Sequence, residues 1–189
     1  MSNTDDMALG FTAFVGDRMI ARGALVQVAR AARAVADAQP LIFDDATGRV
    51  IDLDLRGSAD EAAARVSPPP APKAARGRPK LGVTAREVTL LPRHWDWLAA
   101  QPGGASAALR RLVEDARRDS GDADAVRLAN EAAYRVMTTL GGDLAHYEEA
   151  LRSLFSGDRD RLLELMADWP NDIATYVAAV LDGDRARSL

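Results

Sequence analysis

A cluster of cationic side chains near the middle of the chain is the strongest indication of a binding site in this sequence. Residues 67–118 carry 10 Lys+Arg against 4 Asp+Glu, whereas residues 1–66 carry 7 against 10 and residues 119–189 carry 7 against 14. The net charge of the whole chain is −4. Cations gathered in this way can neutralise the phosphates of a nucleic acid. The candidate cations are Arg76, Arg78, Lys80 and Arg86.

Side chains that could support acid–base or metal chemistry have simpler explanations. The stretch Asp45-Ala46-Thr47-Gly48 is typical of a turn, and Asp52 and Asp54 alternate with the apolar residues of a strand. The two histidines, His94 and His146, have no Asp, Glu or His neighbour at ligand spacing. The chain has no cysteine and no nucleophile-elbow, Walker or dinucleotide motif. We therefore expect no enzyme activity, no cofactor and no metal.

The elements before the basic region predict a small ββαββ domain over residues 1–66. Two short apolar runs flank Gly16-Asp17-Arg18, and two more flank residues 45–48, which indicates two hairpins. Between them, apolar residues recur at helical spacing from Leu25 until Pro40 ends the helix. The N-terminus is acidic and no apolar run is long enough for a membrane helix, so we expect a soluble, cytoplasmic protein.

The basic region itself predicts a linker followed by a strand and two helices. Residues 67–82, SPPPAPKAARGRPKLG, are rich in proline and predict a flexible basic linker. Residues 83–118 predict a short strand over Glu87–Leu91, a helix begun by Pro92, and a second helix capped by Ser106. Residues 119–189 predict an acidic region of about four further helices, each with one apolar face.

The order VTL, proline-started helix, glycine turn and SAALRRLV resembles the ribbon-helix-helix family of DNA-binding proteins. In that family one strand from each of two chains forms a ribbon that enters the major groove, so the resemblance implies a homodimer. It also implies that Ala85, Glu87 and Thr89 face the groove and that Ser106 lies near phosphate. Thr89 suits contact with base edges, whereas the carboxylate of Glu87 opposes phosphate.

RGRPK, from Arg76 to Lys80, resembles the core of an AT-hook, whose arginines lie in a narrow A·T-rich minor groove. Two other interpretations stay open. The segment can be a solubilising basic linker, or its cations can bind the acidic helices that follow Asp119.

Most of the chain resembles one bacterial family, domain of unknown function 2239, through FDDATGRVIDLDLRG, residues 76–118 and the helical tail. That resemblance does not indicate any particular activity, because the family is uncharacterised. The sequence therefore favours a dimeric DNA-binding or regulatory accessory protein. The alternative is a protein–protein adaptor or dimerisation module that does not bind DNA.

Overall fold

The structure is a computed structural model that describes residues 10–67 and 86–182. These residues form two compact units, one of residues 10–67 with 123–182 and one of residues 86–122. The chain is α+β as predicted, with a four-stranded antiparallel sheet followed by a mainly helical region.

The N-terminal elements follow the predicted ββαββ order. They are β1 (Phe11–Val15), β2 (Arg18–Gly23), α1 (Leu25–Ala34), a short 3-10 helix (Ala36–Ala38), β3 (Leu41–Asp44) and β4 (Arg49–Ile51). The strands lie in the order β2-β1-β3-β4, and each neighbouring pair is antiparallel. The sheet therefore has β2 at one edge and β4 at the other.

The remaining elements are helical. They are α2 (Ala59–Val66), α3 (Pro92–Ala99), α4 (Gly104–Gly141), α5 (Tyr147–Ser156), α6 (Arg159–Leu165) and α7 (Asn171–Asp182). The sequence analysis missed α2, which begins with a capping box. Ser58 Oγ accepts from the backbone N–H of Glu61 at 3.2 Å, and the Ser58 N–H donates to Glu61 Oε2 at 2.7 Å. Across residues 10–67 and 86–182, none of the helices has the length and apolar character needed to cross a bilayer.

Both faces of the sheet carry buried apolar side chains, because successive residues of a strand point to opposite faces. On one face, Ala13 and Ile42 pack against α1. On the other face, Phe14 and Phe43 join a core built from four helices. This core includes Val136 and Met137 of α4, Leu154 of α5, Leu162 of α6, and Ile173, Tyr176 and Val177 of α7.

This second core changes the domain organisation expected from the sequence. The sequence analysis separated residues 1–66 from residues 119–189, whereas the structure places residues 10–67 and 123–182 in one compact unit. The physical reason is that α1 covers one sheet face, and Phe14 and Phe43 on the opposite face need helices from the C-terminal part of the chain to exclude water.

Helix α4 is continuous where the sequence predicted two helices with a boundary near Asp119. The stretch between them holds no proline, and Gly121 is the only weak helix former that could end it. The side chain of Ser120 donates to the carbonyl of Ala116 at 2.7 Å within the helix. Because α4 begins at Gly104, Ser106 lies inside its first turn and is not the predicted cap.

Candidate functional site

The compact unit of residues 86–122 leaves much of its apolar surface exposed. Only Leu98 and Ala108 are buried hydrophobic residues in this unit. The exposed large apolar residues are Val88, Leu91, Trp95, Trp97, Leu112 and Val113, with exposed fractions between 39% and 54%. The two tryptophans of α3, Trp95 and Trp97, are thus both exposed in the single chain. A surface of this kind is typical of a contact with another molecule.

The predicted strand at residues 87–91 is neither helix nor strand in the single chain. Among the described residues, no hydrogen bond involves the backbone of residues 86–90, which is largely exposed. Leu91 ends the segment, because its carbonyl accepts from the N–H groups of His94 and Trp95 in the first turn of α3. Within the described ranges, these backbone donors and acceptors therefore have no hydrogen-bond partner.

The predicted DNA contacts that the structure describes are all exposed. Arg86 and Thr89 lie in the segment that precedes α3, and Ser106 lies in the first turn of α4. None of these three side chains makes a hydrogen bond to a described residue. Arg76, Arg78 and Lys80, like Ala85, fall outside the described residues.

The cations of this unit differ in how they are neutralised. Arg117 pairs with Glu114, and Arg118 with Asp115, each at 3.3 Å. The other arginines of the unit make no salt bridge to any described residue; they are Arg86, Arg93, Arg110 and Arg111. Arg93, Arg110 and Arg111 extend the set of candidate phosphate contacts beyond those selected from the sequence.

A buried polar cluster in the other compact unit was not found from the sequence. Asp45 is buried, with only 2% of the residue exposed. Its Oδ1 accepts from the hydroxyls of Thr12 and Tyr176, both at 2.8 Å, and its Oδ2 accepts from Arg22 Nε at 3.3 Å. The Asp45 N–H donates to the Gly10 carbonyl at 3.0 Å. These bonds join β1, β2 and α7 around one carboxylate.

The environment of this cluster also affects Tyr176. Burial, reinforced by the negative charge of Asp45, raises the pKa of the Tyr176 phenol well above its ordinary value. The guanidinium carbon of Arg22 lies 5.9 Å from the centre of the Tyr176 ring. Within the described residues, every buried side-chain N or O atom has a hydrogen-bond partner. The cluster is therefore satisfied and suits a role in holding the fold together.

At the β3–β4 turn, the structure changes the sequence interpretation of Asp45 but not that of the turn itself. Asp44 stabilises the turn, because its Oδ1 accepts from the Ala46 N–H at 2.8 Å. The sequence analysis assigned Asp45 to the turn, but its side chain points into the core. Its partner Tyr176 is 131 residues away in the chain, and no local sequence pattern marks such a contact.

One family model covers nearly all of these elements. A family model described as an uncharacterized protein conserved in bacteria (DUF2239) matches residues 10–181. The chain belongs to the DUF2239 family. The matched range runs from the residue before β1 into α7, so DUF2239 includes the sheet, the central segment and the helical tail. No curated protein and no solved structure matches the chain.

Among residues 10–67 and 86–182, the other acidic and histidine side chains of this DUF2239 protein do not come together in a metal-binding group. In the described ranges, no group of three or more His, Cys, Asp or Glu side chains could hold a metal ion. Hydrogen bonds from Arg56 hold the pKa of Asp54 below its usual range, and Arg65 lies 3.7 Å from the same carboxylate. His94 and His146 are both exposed.

Proposed function

We propose that this protein is a cytoplasmic homodimeric regulatory protein whose central segment, residues 86–118, pairs with its twin and binds duplex DNA. The observation that carries the proposal is the exposed apolar set of this unit, with only two hydrophobic residues buried. A unit that buries so little apolar surface gains stability by burying it against a partner.

A second copy of the chain is the partner that best fits this surface. Among the described residues, the backbone of residues 86–90 makes no hydrogen bond, and it lies beside the apolar side chains of Val88 and Leu91. Two such segments can pair as an antiparallel ribbon, which satisfies the backbone of both and brings both apolar sets together. This arrangement is the one that ribbon-helix-helix proteins use, the family that the sequence of the central segment resembles.

The same segment supplies groups that suit DNA. The hydroxyl of Thr89 is exposed and can reach a base edge, and Arg86 is exposed and unpaired among the described residues. Together with Arg93, Arg110 and Arg111, it gives each copy four arginines available to phosphate. The carboxylate of Glu87, the residue after Arg86, is also exposed and opposes phosphate binding.

Fluorescence anisotropy with labelled random and A·T-rich duplexes tests the DNA part of the proposal. Binding should weaken steeply with added salt, because phosphate neutralisation releases counterions. Arg86→Ala should reduce the slope of log affinity against log salt by about one for each copy bound. Arg18→Ala, an exposed arginine of β2 in the other compact unit, is the matched control and should leave the slope unchanged.

The A·T-rich arm of the experiment tests the RGRPK segment separately. If Arg76 and Arg78 enter the minor groove, replacing both with alanine should remove any preference for A·T-rich over random duplex. A dimer that binds neither duplex at low salt would refute DNA binding. The exposure of Glu87 favours the alternative that would then stand, a dimerisation or adaptor module without DNA.

A further inference from the structure

Within the part of the chain that the structure describes, the edge of the sheet at β4 is open, whereas part of the opposite edge is occupied. At β2, the backbone N–H of Met19 donates to Asp172 Oδ2 of α7 at 2.9 Å. At β4, no described strand pairs with the side turned away from β3. Alternate residues of such an edge strand leave N–H and C=O groups free to bind an added strand.

A cleft lies beside this open edge within the same compact unit. Its volume is about 360 Å³, and it is lined by residues 48–50 and by one side of α4, including Tyr134, Arg135 and Thr138. Arg135 also holds the turn before β4, because its Nη1 donates to the Thr47 carbonyl at 2.7 Å. The edge strand and the helix are thus fixed relative to each other on either side of the cleft.

The wall of the cleft extends into an exposed apolar surface. Val50 is 46% exposed, Tyr134 is 40% exposed and Phe155 of α5 is 60% exposed. The rings of Tyr134 and Phe155 contact each other, with centroids 5.7 Å apart. We call Arg49, Val50, Tyr134 and Phe155 the β4 surface.

The charge of the β4 surface favours an acidic partner. No Asp or Glu lines the cleft. Arg49 is exposed and makes no salt bridge to a described residue, whereas Arg135 is partly neutralised by Glu131 at 3.4 Å. The surface therefore offers Arg49 as an exposed cation without an ion-pair partner among the described residues, although the chain as a whole carries a net negative charge.

The register of the sheet separates the apolar and cationic features onto opposite faces. Val50 lies opposite Phe43, so it is on the face covered by α4–α7, and Arg49 lies opposite Asp44 on the other face. A strand added beyond β4 would present alternate side chains to these two faces. Apolar side chains would contact Val50 and Tyr134, and carboxylates would contact Arg49.

We propose that the β4 surface binds an extended segment of another protein, in which acidic and apolar residues alternate, as a fifth strand of the sheet. This inference does not depend on the dimer or on DNA binding. Because β4 has only three residues, the contact is short and the expected affinity is low.

The test uses the full-length chain labelled with ¹⁵N and a synthetic heptapeptide of alternating valine and glutamate with blocked ends. The largest shifts of amide resonances are expected at Arg49, Val50 and Ile51. A peptide with lysine in place of glutamate tests the charge. A peptide with the same side chains but with alternate backbone nitrogens methylated tests the strand pairing. Both should bind about tenfold more weakly or worse.

A matched pair of charge reversals completes the test. Arg49→Glu should weaken the glutamate peptide by about tenfold, since it replaces an exposed attraction with a repulsion. Arg18→Glu reverses an exposed arginine on the opposite edge strand and should change the affinity less than about twofold.

Three results would overturn the inference. The first is equal binding of the glutamate, lysine and methylated peptides. The second is the absence of shifts at residues 49–51 at millimolar peptide concentration. The third is a shift of these amides on diluting the protein alone, which would assign the edge to a second copy of the chain.

Discussion

Tyr176→Phe tests whether the buried cluster around Asp45 joins the helical tail to the sheet. The substitution keeps the aromatic ring, which contacts Phe14 and Phe43 at centroid distances of 5.3 and 5.9 Å, and removes only the hydroxyl. That hydroxyl donates to Asp45 Oδ1 at 2.8 Å in a fully buried site. A hydrogen bond to a charged group is worth about 1.5–3 kcal/mol, so we expect a loss of about 2 kcal/mol in the free energy of unfolding.

The measurement is equilibrium urea unfolding followed by far-UV circular dichroism. Tyr147→Phe is the matched control, because its hydroxyl bonds with Thr138 Oγ1 at 2.9 Å in an exposed position and should cost less than about 0.5 kcal/mol. Combining Tyr176→Phe with Thr12→Val removes both donors to Asp45 Oδ1. The double variant should lose about 1 kcal/mol more than the sum of the single losses. Equal losses for Tyr176→Phe and Tyr147→Phe would refute this role of the cluster.

Three further predictions concern the same compact unit. Because the pKa of Tyr176 is raised in the folded state, the unfolded state loses this proton first as the pH rises above about 10. The stability advantage of the natural chain over Tyr176→Phe should therefore shrink by about 1.4 kcal/mol per pH unit in alkaline urea titrations, and a constant difference would contradict the raised pKa. Gly48→Ala should cost about 3 kcal/mol by urea unfolding, because Gly48 has φ +63° and an added Cβ would collide with the Ala132 carbonyl oxygen. Gly157→Ala, at φ +75° with open space around it, should cost about 1 kcal/mol, and equal costs would argue against the collision. Ser58→Ala should cost about 1 kcal/mol by removing the cap of α2, and an unchanged unfolding midpoint would show that the cap is not stabilising.

Local signals in the sequence predicted much of the fold. The two hairpins and α1 lie where turn residues and apolar spacing placed them. Pro92 begins α3 as the sequence predicted. These features depend on residues within one turn of each other, which a single sequence reveals directly.

Long-range packing explains what the sequence did not reveal. The contact of Asp45 with Tyr176 and the burial of Phe14 and Phe43 under the tail depend on residues more than a hundred positions apart. The continuity of α4 through Gly121 depends on the balance between one weak helix former and its neighbours. The capping box at Ser58 was a local signal, and the sequence analysis missed it.

For the candidate site, the sequence selected residues and the structure describes their exposure. Arg86, Thr89 and Ser106 are exposed, as DNA contacts must be. The cations Arg93, Arg110 and Arg111 were passed over because unpaired and paired arginines look alike in a sequence. Their lack of a described carboxylate partner became visible only in three dimensions.

The most direct test of the proposed function is the mass of the full-length chain in solution by sedimentation equilibrium. The proposal predicts twice the 20.3 kDa of one chain. It further predicts the mass of one chain for Leu112→Glu, which places a charge in the exposed apolar set. Leu163→Glu, which changes an exposed leucine of α6, should keep the mass of two chains. A natural chain that sediments at 20.3 kDa across the micromolar range would contradict the proposal.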